Sequence, residues 1–162
     1  MKLSGKIAEK GLHAFDKEPR THGGIEVPRL WVVVADREKA HIYRKTPKGI
    51  ERIADAKTGH AGSHHQEAGS GGTVHHGYDV KSEKRHHKDS GFIQKLTEWL
   101  ESASRENVFD RLILVASPHT LGDIRSSLGK NIQARITAEV DKDLIKLSEK
   151  EIEEHLSNVV WF

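Results

Sequence analysis

Two uninterrupted apolar runs dominate the pattern of the chain, LWVVVA from Leu30 to Ala35 and RLILVAS from Arg111 to Ser117. A strand covered on both faces carries apolar residues at successive positions rather than alternate ones, so each run predicts a central strand. Asp36-Arg37-Glu38-Lys39 leads from the first run into AHIYRKT, where Ala40 and Ile42 alternate with His41 and Tyr43, and Pro47-Lys48-Gly49 turns again into IERIADA. Three strands joined by two short turns predict an antiparallel meander. Farther on, Phe92, Ile93, Leu96, Trp99, Leu100 and Ala103 recur at helical spacing behind Asp89 or Ser90, either of which suits an N-cap. Pro118 opens another helix bearing Leu121, Ile124 and Leu128, with Ser117 as its cap and Gly129 as its stop. Ile132 to Val140 alternates like a strand, and Ser148 with Glu151 stands in capping-box register before a last helix over Glu149 to Ser157.

These elements add up to an α/β domain with a mixed five-stranded sheet, an antiparallel meander followed by αβαβα, part of it parallel because a helix separates two buried-type strands. Residues 1–29 are patterned more weakly. Leu3, Ile7, Leu12 and Phe15 are spaced like one helical face, but Gly5, Gly11, Pro19 and Gly23-Gly24 interrupt it. They read as an N-terminal extension with a short helix, ahead of a single domain over residues 30–162.

Between the third strand and the long helix, from Thr58 to Lys88, hydrophobic periodicity stops for 31 residues that hold seven of the twelve histidines and six of the fourteen glycines. Val74, Tyr78 and Val80 are its only sizeable apolar side chains. Such a segment builds no core, and a loop of this length in a compact domain is a candidate for contact with a partner. Near its end Lys81, Lys84, Arg85 and Lys88 supply cations for phosphate, while glycine backbone and imidazole planes suit close approach to bases.

Overall charge decides little, since 26 basic against 24 acidic residues leave +2. The absence of cysteine decides more. It excludes disulfides, thiolate metal sites and cysteine nucleophiles. No apolar stretch reaches the ~18 residues of a membrane span, and the first 24 residues have no signal-peptide block, so a cytoplasmic protein without a membrane partner is expected. His64, His65, His75, His76, His86 and His87 are candidate metal ligands by donor type alone. They follow no ligand spacing such as HExxH, and neither a metal nor another cofactor is expected. Nuclease chemistry would need convergent carboxylates. Asp36 fits turn chemistry instead, and Asp55 and Asp110 do not join it in any evident pattern. His119 lies at the carboxyl edge of a central strand, where helix-start packing accounts for it. Trp31, Phe92 and Trp99 belong to the core, whereas Trp161 and Phe162 form an apolar C-terminal end.

An antiparallel meander, a glycine-rich excursion and then helix-strand-helix-strand resembles the RNase H-like central domain of archaeo-eukaryotic peptide-chain release factors and Pelota. The segments WVVVADREKAHIYRK, KSEKRHHKDSGFIQKLTEWLE, FDRLILVASPHTLGDIRSSLG and AEVDKDLIKLSEKEIEEHL are similar to the bacterial host-attachment family, a branch of that group. The resemblance covers Leu30 to Leu156. It places GSGGTVHHGYDV where the release factors carry Gly-Gly-Gln, with Gly71 and Gly72 matching the glycine pair and Thr73 standing in place of glutamine. Lys81, Lys84, Arg85 and Lys88 match the basic flank. The resemblance implies a ribosome or structured RNA as partner, contacted by Gly71, Gly72, Thr73, Lys81, Lys84, Arg85 and Lys88. Thr73 lacks the reach of glutamine, so a noncatalytic role is expected. Two alternatives remain open: a protein-interaction module for host or surface attachment, and peptidyl-tRNA hydrolysis through a degenerate Gly-Gly-Thr.

Overall fold

A computed structural model describes residues 1–12, 21–22, 24–59 and 80–159, with residues 80–90 entering as helix backbone. Its central feature is a six-stranded mixed sheet in the order β1 (Lys2–Ser4), β6 (Gly49–Lys57), β5 (Lys39–Thr46), β4 (Leu30–Ala35), β7 (Arg111–Ala116), β8 (Ile136–Asp141). The meander forms as expected from β4 (Leu30–Ala35), β5 (Lys39–Thr46) and β6 (Gly49–Lys57), paired antiparallel. Gly49 closes the second turn at φ 131°, a conformation that side-chain-bearing residues rarely adopt. The second apolar run becomes β7 (Arg111–Ala116), lying parallel to β4, and β8 (Ile136–Asp141) adds to it in parallel. Both runs are buried almost throughout because helices cover both sheet faces.

On one face, α2 (Val80–Arg105) lays Phe92, Ile93, Leu96, Leu100 and Ala103 against Trp31, Val33, Ile42, Leu112 and Leu114. Leu121 and Ile124 of α3 (Pro118–Ser127) extend the same cluster. Trp31 is its centre, 6.1 Å from the Trp99 ring and 5.0 Å from that of Phe109. On the other face, Ile152 and Leu156 of α5 (Glu149–Val159) cover Val32, Val34, Tyr43, Ile113 and Val115. The capping box before α5 is formed: Ser148 N–H donates to Glu151 Oε2 at 2.8 Å, and Glu151 N–H to Ser148 Oγ at 3.3 Å. The Ser148 N–H and, at 2.9 Å, the Ser148 hydroxyl both donate to the Glu151 carboxylate and hold it below its usual range.

The structure departs from the pattern-based expectation in three places. The sheet has six strands rather than five, because β1 (Lys2–Ser4) pairs antiparallel with β6 and the short helix α1 (Lys6–Lys10) brings Ile7 into the core. Three residues with one apolar side chain are too short to show a period. The long helix starts at Val80 rather than at Asp89 or Ser90, so the expected loop over 58–88 ends earlier. Lysine, glutamate and arginine are strong helix formers, which lets the helix run beyond its apolar stripe. Ile132 belongs to α4 (Lys130–Gln133), not to the following strand. It lies one turn beyond Leu128, so the same apolar positions satisfied both a period of two and a helical period. Among the described residues, β2 (Thr21–His22) and β3 (Ile25–Glu26) also form a separate hairpin, on which Ile25 is 72% exposed.

A half-buried ion pair ties the sheet to its entry segment. Asp110 accepts the Arg29 N–H at 2.8 Å and its Nε at 3.3 Å, while the Arg29 side chain is only 8% exposed. Arg29 would keep its bond to the Asn107 carbonyl but lose its carboxylate acceptor, so Asp110→Ala is expected to lower unfolding free energy by about 2 kcal/mol, read from urea denaturation.

Candidate functional site

Lys81, Lys84, Arg85 and Lys88 all fall in α2, where the helical register converts a charge run into a pattern. Positions i, i+3, i+4 and i+7 share one face of an α-helix. The four span about 10 Å of helix axis at 1.5 Å per residue. They occupy the first third of a helix about 39 Å long, ahead of the Phe92–Ala103 stretch that enters the core. By backbone register the four positions share one side of the helix, ahead of the stretch that is fixed in the core. Gly71, Gly72 and Thr73 lie outside the described residues, as do His64, His65, His75 and His76. His86 and His87 lie in the same helical segment as the basic residues. Trp161 and Phe162 are also outside the described residues.

The three aspartates considered for metal-dependent cleavage sit apart, each with a partner of its own. Asp36 Oδ1 caps the turn after β4, accepting the Glu38 and Lys39 N–H groups at 2.8 and 2.7 Å. Asp55 meets His41, and Asp110 holds Arg29 at the opposite end of the parallel strands. Among the described residues, no three His, Asp or Glu side chains are grouped so as to hold a metal. Ser117 is the N-cap residue of α3, with Pro118 in the first turn, and its hydroxyl donates to Thr120 Oγ1 at 3.2 Å. His119 Nδ1 lies 3.1 Å from Asp123 on that helix.

The His41–Asp55 pair escaped the sequence reading, although the meander register puts the two residues directly opposite. His41 Nδ1 lies 2.5 Å from Asp55 Oδ1, on the sheet face that also carries Tyr43 and Arg52. Burial pushes the imidazole below its ordinary value; the bond to Asp55 opposes this, and Arg52 and Lys39 add to it. Burial likewise pushes the Tyr43 phenol up. A folded-state imidazole that resists protonation stabilises the protein above about pH 6.5, the unfolded value, and this is lost as pH falls through the folded value. His41→Gln is therefore expected to show a smaller fall in urea midpoint between pH 7.5 and 5.5 than the wild type. An equal fall in both would assign the acid sensitivity to other groups.

A mixed sheet with helices on both faces and a long basic-ended helix makes this an α/β protein. The model of a family described as protein required for attachment to host cells matches residues 31–156, and the chain belongs to that family. No curated protein matches it. Among solved structures, 80% of the chain aligns with 38% of the archaeal translation termination factor aRF1, at 11% identity and a TM-score of 0.46. A second, titled only as an archaeal protein, aligns with 80% of the chain over 37% of its own length, at 11% identity and a TM-score of 0.38. The chain thus spans under two-fifths of each of these. No helix among the described residues is long and apolar enough to cross a membrane.

Proposed function

We propose that this chain is a noncatalytic RNA- or ribosome-associated factor whose RNA contact is the N-terminal face of α2, assisted by Gly71, Gly72 and Thr73. One observation carries the reading: Lys81, Lys84, Arg85 and Lys88 are placed on a single helical face. Such a row neutralises successive phosphates at little cost in ordering, because the helix has already fixed their spacing. The strand order supports an RNase H-like reading of the domain, with four strands paired antiparallel, β1-β6-β5-β4, and β7 and β8 added in parallel beyond β4. The segments that resemble the release-factor group point to the ribosome as the RNA. Threonine at position 73 favours binding without hydrolysis, since an oxyanion or an attacking water needs donors held at a set distance. A ribosomal partner would make this a cytoplasmic protein.

The family description favours a second reading, a protein-interaction module for surface attachment. Salt separates the two. Phosphate-driven binding weakens steeply as salt rises, whereas apolar docking does not. Co-sedimentation with ribosomes is expected at 50 mM salt and lost by 300 mM; pelleting that persists at 300 mM, or none at 50 mM, overturns the RNA reading.

A further inference from the structure

A cleft of about 540 Å³ opens at the far end of α2 from the basic row, lined by Ser104, Arg105, Asn107, Lys130, Asn131 and Arg135, with Glu101, Gly129, Ile132 and Ala134. Its size falls in the roughly 300–1,000 Å³ range of small-ligand clefts. The charge is one-sided. Among the described residues, Arg105, Lys130 and Arg135 have no carboxylate partner. Arg105 Nε reaches only the Glu101 carbonyl at 3.4 Å. Arg135 is fixed instead by neutral groups: Nη1 donates to the Phe109 carbonyl at 2.7 Å, Nη2 to Asn107 Oδ1 at 3.2 Å, and the guanidinium lies 5.7 Å from the centre of the Phe109 ring. A preoriented guanidinium that no carboxylate neutralises is suited to an oxyanion.

The single carboxylate in the lining is held to the wall. Glu101 Oε1 accepts the Gly129 N–H at 2.7 Å, and a Cβ at Gly129 would stand 2.7 Å from that oxygen. Ser104, 5% exposed as a residue, also lines the cleft and adds a hydroxyl to its polar wall. Asn131 adds an amide, without a partner among the described residues, for ribose or base edges.

We infer that this cleft is a second RNA site, receiving the phosphodiester backbone of the same RNA that the basic face of α2 engages. The inference rests on the RNA reading and adds to it. From Lys84 to Arg105 the helix rises about 30 Å, a span that one short strand of RNA can cover.

The test is fluorescence anisotropy of a labelled twelve-nucleotide oligouridylate across 50–300 mM salt, with uridine monophosphate as competitor. Wild type is compared with Arg105→Ala/Lys130→Ala and with Lys81→Ala/Lys84→Ala/Arg85→Ala/Lys88→Ala. Arg105 and Lys130 are exposed, so folding is expected to survive, and a thermal melt of each variant checks it. Each phosphate contact on a single strand contributes about 0.7 to the salt slope. The cleft variant is therefore expected to lose about 1.4 in slope and roughly 25-fold in affinity at 0.1 M salt. A cleft variant that binds like wild type while the helix variant is weakened overturns the cleft and leaves the RNA reading standing. Absence of wild-type binding overturns both. Micromolar binding of uridine monophosphate that only the cleft variant loses replaces the RNA strand by a free nucleotide, and overturns the inference as stated.

Discussion

Replacing Lys81, Lys84, Arg85 and Lys88 together by alanine is expected to abolish ribosome association at salt concentrations where the wild type still pellets. Each cation set against a phosphate releases about one counterion, worth roughly fivefold in affinity at 0.1 M salt. Four acting independently amount to a loss of several hundred-fold and a salt slope lower by about 3. Alanine is the best helix former, so the substitutions remove charge without breaking α2. A spread of roughly fivefold losses among single variants is expected if the row acts as a unit against one polyanion. One dominant residue with three silent ones would indicate a single ion pair to a protein partner instead.

The second large effect is on stability. Trp31 is 2% exposed on the central strand, between the Trp99 and Phe109 rings, and β4 pairs with both the meander and the parallel strands. Trp31→Ala removes the largest side chain of that cluster at a point where sheet and α2 meet, and the rigid sheet limits how far the cavity can collapse. A loss of about 4 kcal/mol is expected, measured by urea denaturation. The conservative Trp31→Phe should recover most of it. The helix carrying the basic row is anchored through the same cluster, so Trp31→Ala is also expected to weaken RNA binding in proportion to the fraction unfolded. A loss of binding in Trp31→Ala while the protein remains folded would imply that tryptophan touches the ligand.

The parts of the fold that sequence reading reached are those with redundant signals. LWVVVA and the LILVA of RLILVAS are apolar at every position, which two-sided burial explains. The last helix was marked by Ser148 and Glu151 as well as by its apolar stripe. β1 gave no such redundancy: Leu3 alone faces the core side, and the strand exists because β6 offers it an unpaired edge. Ile132 fitted two periods at once, and tertiary packing beside Leu128 selected the helix.

The candidate site divides in the same way. Lys81, Lys84, Arg85 and Lys88 were legible as a basic cluster, but their common face becomes visible only once α2 is known to begin at Val80. The cleft was not legible at all. Ser104 and Arg105 come from α2, Lys130 from α4 and Arg135 from the approach to β8, so no local spacing links them. His41 and Asp55 are fourteen positions apart and meet through strand register.

The most direct measurement uses the absence of cysteine from this chain. Ser82→Cys introduces a unique thiol within the basic segment of α2, to which a short photocrosslinker is attached before mixing with ribosomes at low salt. The account expects a crosslink to ribosomal RNA that disappears in the alanine variant of the row. A crosslink to protein alone, or an RNA crosslink unaffected by those four alanines, would contradict it.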